Sequence, residues 1–165
     1  MIFVTVGTHE QPFNRLIKAI DDIKKEACIE DDVIIQSGYS TYVPKYCEWH
    51  QWIPYEQILE KVSKARIVIT HGGPASFIMP MRIGKIPIVV PRQYKFGEHV
   101  NDHQVEFAKA VEKRNGTIIP IYDIEKMKDV IKSYDEIIEK MRISVSSNNL
   151  YFNQQIEKIV EEMNI

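Results

Sequence analysis

Arg66-Ile67-Val68-Ile69-Thr70-His71-Gly72-Gly73-Pro74-Ala75-Ser76 is the stretch on which the fold of this chain turns. Arg66 to Thr70 is a β-branched apolar run, as expected of a strand covered on both faces. Two glycines end it. Pro74 then stands where a helix can begin, because a first-turn residue needs no N–H partner, and the helix is expected from about Ala75 to Ile83. The chain opens in the same way: Ile2-Phe3-Val4-Thr5-Val6 stops at Gly7, Pro12 suits a first-turn position, and Phe13, Leu16, Ile17 and Ile20 follow at helical spacing.

The alternation continues along the chain. Val33 to Gln36 reads as a second strand ended by Ser37-Gly38, and a short third strand is expected around Tyr46 to Trp49. Pro54 opens a helix with Tyr55, Ile58, Leu59 and Val62 on one face. Pro87 to Pro91 is the next strand, a polar loop runs from Arg92 to Glu98, and a helix follows with Val100, Phe107, Ala108 and Val111 inward. Thr117 to Ile121 is the last strand. Ile124, Met127, Ile131, Tyr134 and Ile138 mark one further helix, and Phe152, Ile156, Ile159, Val160 and Met163 a terminal one. About six strands alternating with helices predict an α/β fold, a doubly wound, mainly parallel Rossmann-like sheet.

Composition narrows the class. The 165 residues suit one Rossmann-like domain spanning 1–165, with its terminal helices over about 123–165. Hydrophobic residues at 44% and charged residues at 27% exclude a disordered or fibrous chain. The net charge of −2 gives no general case for nucleic-acid binding. No apolar run approaches the ~20 residues of a membrane span, and the N-terminus lacks the positive region of a secretory signal. Cys28 and Cys47 form no CxxC pair and read as free thiols in a reducing, cytoplasmic compartment.

In doubly wound sheets ligands bind outside the carboxyl ends of the strands, so the loops leaving the strands carry the chemistry. Gly7-Thr8-His9-Glu10 and His71-Gly72-Gly73-Pro74-Ala75-Ser76 share one design: strand, glycine turn, helix N-terminus. Glycine allows close backbone approach, and a helix start attracts phosphate. Each loop alone reads equally as a tight turn with a cap, Ser76 being a candidate N-cap; two together favour an anion site. From His71 to Gly97 there are four cations, Arg82, Lys85, Arg92 and Lys95, and no carboxylate. Arg82 and Lys85 read as a solvated helix face, whereas Arg92 and Lys95 fall in a loop, where function concentrates.

Familiar fingerprints are absent. No GxGxxG follows the first strand and no GxxxxGK[ST] occurs, so dinucleotide redox chemistry and P-loop hydrolysis are not expected. There is no DxD, and Asp21-Asp22 and Asp31-Asp32 lie away from the ligand-binding strand ends, so no divalent metal is expected. His99 and His103 have a zinc-compatible spacing but no third ligand at a sensible place. His9-Glu10 reads either as a base with its orienting carboxylate or as a phosphate contact beside a first-turn charge. Tyr39, Tyr42, Tyr46, Trp49 and Trp52 form either an exposed patch facing a partner or membrane, or packing beneath an irregular loop.

Ile69 to Ser76, Gly84, Pro87 to Pro91 and Glu98-His99-Val100-Asn101-Asp102-His103-Gln104 together resemble the donor-binding C-terminal half of GT-B glycosyltransferases. With the opening Val4-Thr5-Val6-Gly7-Thr8-His9, the chain is similar to the small subunit of bacterial split glycosyltransferases for capsular and exopolysaccharide. That group is related to the cytosolic subunit of a eukaryotic N-acetylglucosaminyltransferase of lipid-linked glycan assembly. The resemblance implies a UDP-sugar across the strand ends, with Gly7, Thr8, His71, Gly72, Gly73, Ser76 and Arg92 toward nucleotide and phosphates. It places Glu98, His99, Asn101, Asp102, His103 and Gln104 toward the donor sugar. His71, and secondarily His9, are the implied catalytic residues, with no metal and no cofactor.

The resemblance further implies inverting transfer of a hexose to a lipid-linked saccharide. A membrane-anchored partner subunit would supply the acceptor domain and hold this chain at the inner face of the membrane. Other readings are a non-catalytic nucleotide-sugar-binding or stabilising subunit, and a UDP-sugar epimerase-like enzyme. One departure stands out: Ile78-Met79-Pro80-Met81 lacks the acidic residue with which related domains hold the ribose, and Pro80 interrupts that short helix.

Overall fold

A computed structural model describes residues 1–115, 117–144, 157–159 and 161–162. Six strands form one sheet: β1 (Ile2–Thr5), β2 (Val33–Gln36), β3 (Glu48–His50), β4 (Ile67–His71), β5 (Ile88–Val90) and β6 (Ile119–Pro120). Between and after them lie the helices α1 (Asn14–Lys25), α2 (Tyr55–Lys64), α3 (Pro74–Arg82), α4 (His103–Asn115), α5 (Met127–Lys132) and α6 (Tyr134–Ser144). The order across the sheet is β3-β2-β1-β4-β5-β6, and every pairing is parallel. The direction of winding reverses between β1 and β4. The expected α/β, doubly wound sheet is therefore observed, parallel throughout.

Alternation along the central strands divides the core. Ile2 and Val4 of β1, with Val6 just beyond it, share a core with Leu16, Ile17 and Ile20 of α1 and Met127, Ile131 and Tyr134 of α5 and α6. Phe3 and Val68 face the other way, onto Ile53, Val62 and Ala65 around α2. Phe77, Met81, Phe107, Ala108 and Val111 of α3 and α4 continue that second layer over Val89. At the amino ends of the strands Arg66 bridges Asp31 and Asp135, and its hydrogen bonds draw the Asp31 carboxyl down to about 2 against the opposing cost of burial.

Several local expectations are corrected. Helix α1 starts at Asn14, so Pro12 precedes the helix and Phe13 is its N-cap. Helix α4 starts at His103, which leaves Val100 in the preceding loop at 67% exposure instead of inward. Lys85 is not on a solvated face: its Nζ donates to the carbonyls of Val62, Ser63 and Ala65, closing the carboxyl end of α2 with a cation as the helix dipole favours. Helix α3 continues through Pro80 to Arg82. In the expected terminal helix Ile159 is helical and packs with Phe77 and Phe107, whereas Phe152, Ile156, Val160 and Met163 lie outside the described residues.

The two edges of the sheet differ. At β6, Ile119 and Ile121 donate inward to Pro87 and Val89, so the ring nitrogen of Pro120 occupies the outward position and offers no donor. At β3 all three residues are exposed. No helix among the described residues is long and apolar enough to cross a membrane.

Candidate functional site

The two glycine turns leave adjacent strands at the winding switch, and one imidazole locks them together. His71 ends β4 and is 8% exposed. Gly7 has φ +74, and a Cβ there would overlap His71 Nε2 while standing 2.8 Å from Cδ2 and Cε1. A Cβ on Gly73 would overlap His71 Cε1 and stand 2.9 Å from Nδ1. The ring is thus wedged between the two turns, and only glycine fits on either side of it. Gly72 is crowded for a different reason, a Cβ there meeting Gln104 Cβ at 2.8 Å and Pro91 at 3.0 Å.

Both ring nitrogens of His71 are committed. The Gly73 N–H donates to Nδ1 at 3.0 Å, which makes Nδ1 the acceptor and places the proton on Nε2. Nε2–H then donates to Ser76 Oγ at 2.8 Å. Ser76 is the third residue of α3, Gly73 being its N-cap, so the hydroxyl serves His71 and the expected capping role is corrected. Burial, with the nearby Arg92 charge second, pushes the His71 pKa down to about 3, so the ring is neutral at physiological pH.

A base whose folded pKa lies below its unfolded value of 6.5 takes up its proton first in the unfolded chain. Stability is therefore expected to fall as pH drops from about 6.5 toward 3, by up to about 1.4 kcal/mol per pH unit from this residue. His71→Asn retains an acceptor for Gly73 but cannot titrate. Thermal melts between about pH 7 and pH 4.5 should show a shallower loss for this variant than for the wild type. Equal slopes would mean that His71 is protonated in the fold.

The second turn pair is held from beneath. Arg92 is fully buried and points inward, donating from Nη1 to the carbonyls of Gln11 (2.7 Å) and Glu98 (3.1 Å) and from Nη2 to Val6 (2.8 Å). Its guanidinium lies 4.9 Å from the Phe13 ring centroid. Burial lowers its pKa to about 10, with Glu98 opposing, so it remains charged at neutral pH. The structure thus places Arg92 inside the wall below the loops, where it ties the turn after β1 to the loop after β5. Glu98 is equally internal: it pairs with Arg15 at 2.7 Å and accepts from the Gln93 N–H. Gln104 is a strut, its Oε1 accepting from the N–H groups of Gly72 and Arg92, each at 3.0 Å.

The remaining expected residues lie toward the open side. Thr8, Asp102 and His103 are exposed; His9, His99 and Asn101 are half-buried. The His9 and His99 rings stack at 4.5 Å with an interplanar angle of 13°. His9 Nε2 donates to Gln11 Oε1 at 2.9 Å, so its partner is Gln11, and Glu10 is exposed. Burial first, then His9, lowers the His99 pKa. Asp102 accepts from Tyr94 N–H and Asn101 from His103 N–H, folding the 98–104 segment back on the 92–96 loop. His99 precedes α4, so it does not share a helix face with His103. Among the described residues no three His, Cys, Asp or Glu side chains are set to hold a metal.

Backbone donors are fewer than the two turns suggest. Gly7 donates to Thr5 Oγ1, and Gly72 and Gly73 are engaged as above. Among the described residues the N–H groups of Thr8 and of Ala75 in the first turn of α3 have no partner. Sequence reasoning missed Arg15, whose guanidinium pairs with Glu98 and lies 4.6 Å from the Phe96 ring centroid, and whose partner is distant in sequence. It also missed Asp21. Burial opposes its charge, but the N–H groups of Lys45 and Tyr46 and the Tyr42 hydroxyl hold it below the usual range and fix the 42–46 loop. Tyr42 is packed there, while Tyr39, Tyr46, Trp49 and Trp52 are 40–50% exposed. Tyr39 and Trp52 meet edge to face at 5.1 Å beside Gly38, where a Cβ would lie 2.8 Å from the Gly7 carbonyl.

Comparison with known proteins bears on the family and the fold. The family model described as glycosyltransferase family 28 C-terminal domain matches residues 1–163. The human protein UDP-N-acetylglucosamine transferase subunit ALG13 is 34% identical over an alignment of 121 residues, and the match covers 68% of this chain and 10% of that protein. The chain thus spans about a tenth of the length of that curated relative. The solved glycotransferase of kitacinnamycin superposes with a TM-score of 0.54 at 17% identity, over 98% of this chain and 38% of the other. The glycosyltransferase SnogD from Streptomyces nogalater does so with a TM-score of 0.51 at 13% identity, over 98% and 43%. At such identities the two structures speak for the fold.

Proposed function

Because the chain belongs to the glycosyltransferase family 28 C-terminal domains, we propose that it is the donor-binding subunit of a two-protein, inverting, metal-independent glycosyltransferase. The donor is a UDP-sugar and the group transferred a hexose. The acceptor is a lipid-linked saccharide in capsular or exopolysaccharide assembly. The observation that carries this reading is the pair of glycine turns at the β1–β4 switch, locked by His71. The human relative, named as a UDP-N-acetylglucosamine transferase subunit, supports both the donor class and a partner subunit.

A diphosphate over the turns meets the Thr8 N–H and hydroxyl, the free Ala75 N–H and the positive end of α3. Since Ser76 Oγ accepts from His71, its own proton is left to donate outward. As the bond to the sugar breaks, charge grows on the departing diphosphate, and these fixed donors stabilise it without a metal. His71 is a positioning residue in this scheme: neutral and engaged at both nitrogens, it neither gives nor takes a proton. Arg92, Glu98 and Gln104 act behind the surface, holding the loops that present His99, Asn101, Asp102 and His103 to the donor sugar. His9, stacked on His99, faces the same space.

The partner supplies the acceptor-binding half, the membrane anchor and, given the engagement of His71, the general base. The chain itself is one cytoplasmic domain, held at the inner membrane face through that partner. Calorimetric titration with UDP and then with several UDP-hexoses tests the proposal, on the chain alone and on the chain with its partner. Saturable UDP binding that weakens for Ser76→Ala is the expected result. No UDP binding in either form would sink it. The non-catalytic reading, favoured by the committed nitrogens of His71, is separated by His9→Ala: unchanged turnover of the reconstituted pair supports it, and lost turnover with retained UDP binding assigns His9 to the chemistry.

A further inference from the structure

Strand β3 is the outermost strand on its side, and its whole length is exposed. The His50 carbonyl accepts from the Ser37 N–H at 2.9 Å, so the backbone of His50 faces β2. By the alternation of a strand, the N–H and C=O of Trp49 point the other way, into solvent. The strand is short, three residues, and neither proline nor lysine stands within it to block a further strand. Glu48 and His50 lie on one face of it, 2.8 Å apart, and Trp49, 40% exposed, lies on the opposite face.

We propose that β3 is the seat of a symmetric dimer, in which a second copy of this chain pairs antiparallel about a two-fold axis at Trp49. Such an axis makes the two Trp49 residues a hydrogen-bonded pair, each N–H donating to the other's C=O. It sets Glu48 of each copy opposite His50 of the other, once on either side of the axis. Tyr46 and Trp52, 49% and 45% exposed, stand three residues to either side of Trp49, and the axis brings each toward the other's counterpart. The occupant follows from this donor–acceptor pattern. An unrelated strand would have to offer a hydrogen-bond donor opposite Glu48 and an acceptor opposite His50, and the chain's own sequence offers both when reversed. Pairing joins the two six-stranded sheets into one. It leaves the turns after β1 and β4 uncovered, because these lie inward of β2.

Sedimentation of the full chain over a concentration series, with circular dichroism to verify folding, tests the proposal. The wild type is expected to dimerise, and Glu48→Lys and His50→Glu are each expected to raise the dissociation constant about tenfold, the first by removing the acceptor opposite His50 twice and the second by setting two carboxylates opposite one another twice. An equimolar mixture of the two variants should recover dimer, because the new cation of one then faces the new anion of the other. Trp49→Cys, mildly oxidised, should give a disulfide-linked pair, whereas Gln51→Cys should not. A wild type that is monomeric throughout overturns the proposal. So do single variants that dimerise as the wild type does, or a mixture that recovers nothing.

Discussion

Gly7→Ala is expected to lower the thermal midpoint by roughly 5–15 °C and to abolish UDP binding. Two costs combine. Holding alanine at φ +74 costs about 1–2 kcal/mol. Its methyl must also displace the buried His71 ring, an overpacking cost of about 1–3 kcal/mol, and a domain of this size loses roughly 2–4 °C per kcal/mol. The ring cannot retreat, because Gly73 backs it on the other side. Gly97 supplies the control: its φ is +68, yet nothing lies within 4 Å of a Cβ there. Gly97→Ala should therefore show only the conformational cost. Circular dichroism melts of both variants measure the difference, and equal midpoints would remove the wedge from the account.

Arg92→Met is expected to be worse, costing about 3–5 kcal/mol in denaturant unfolding, the range for breaking a buried charge network from one side. Methionine fills much of the volume but leaves the carbonyls of Val6, Gln11 and Glu98 without their donors. Arg92→Lys keeps the charge but not the fork that reaches two loops at once, and should recover less than half of the loss. If Lys restores full stability, charge alone is what the site requires. The same pair read by UDP titration separates loop positioning from global unfolding, since a folded Lys variant with loosened turns should bind more weakly.

What was legible in the sequence was what depends on near neighbours. The runs Ile2 to Val6, Ile67 to Thr70 and Ile88 to Val90 declare buried strands by composition alone, and the glycines after β1 and β4 mark the switch. Side-chain direction was not legible. Arg92 and Glu98 look like loop charges, free to meet a ligand, until tertiary structure sets Arg15 beside Glu98 and Val6 beside Arg92 across more than 80 residues of sequence. The place of His71 at the end of β4 is legible, but the engagement of both its nitrogens depends on Gly73 and Ser76 closing around it. Helix starts are illegible where the apolar pattern outruns the helix: Val100 continues the spacing of α4 but lies in the loop that Asp102 and Asn101 fold back.

Pro120 has a bearing on assembly. A sheet with two open edges can add copies at both, and strands that stack without limit make fibres. Here the outward donor position of β6 is filled by a proline ring, so one margin is sealed by a single covalent feature. Among the described residues β3 is the margin without such a block. A chain that can join at one margin is full after one event, so even at high concentration its self-association has a natural stop at two.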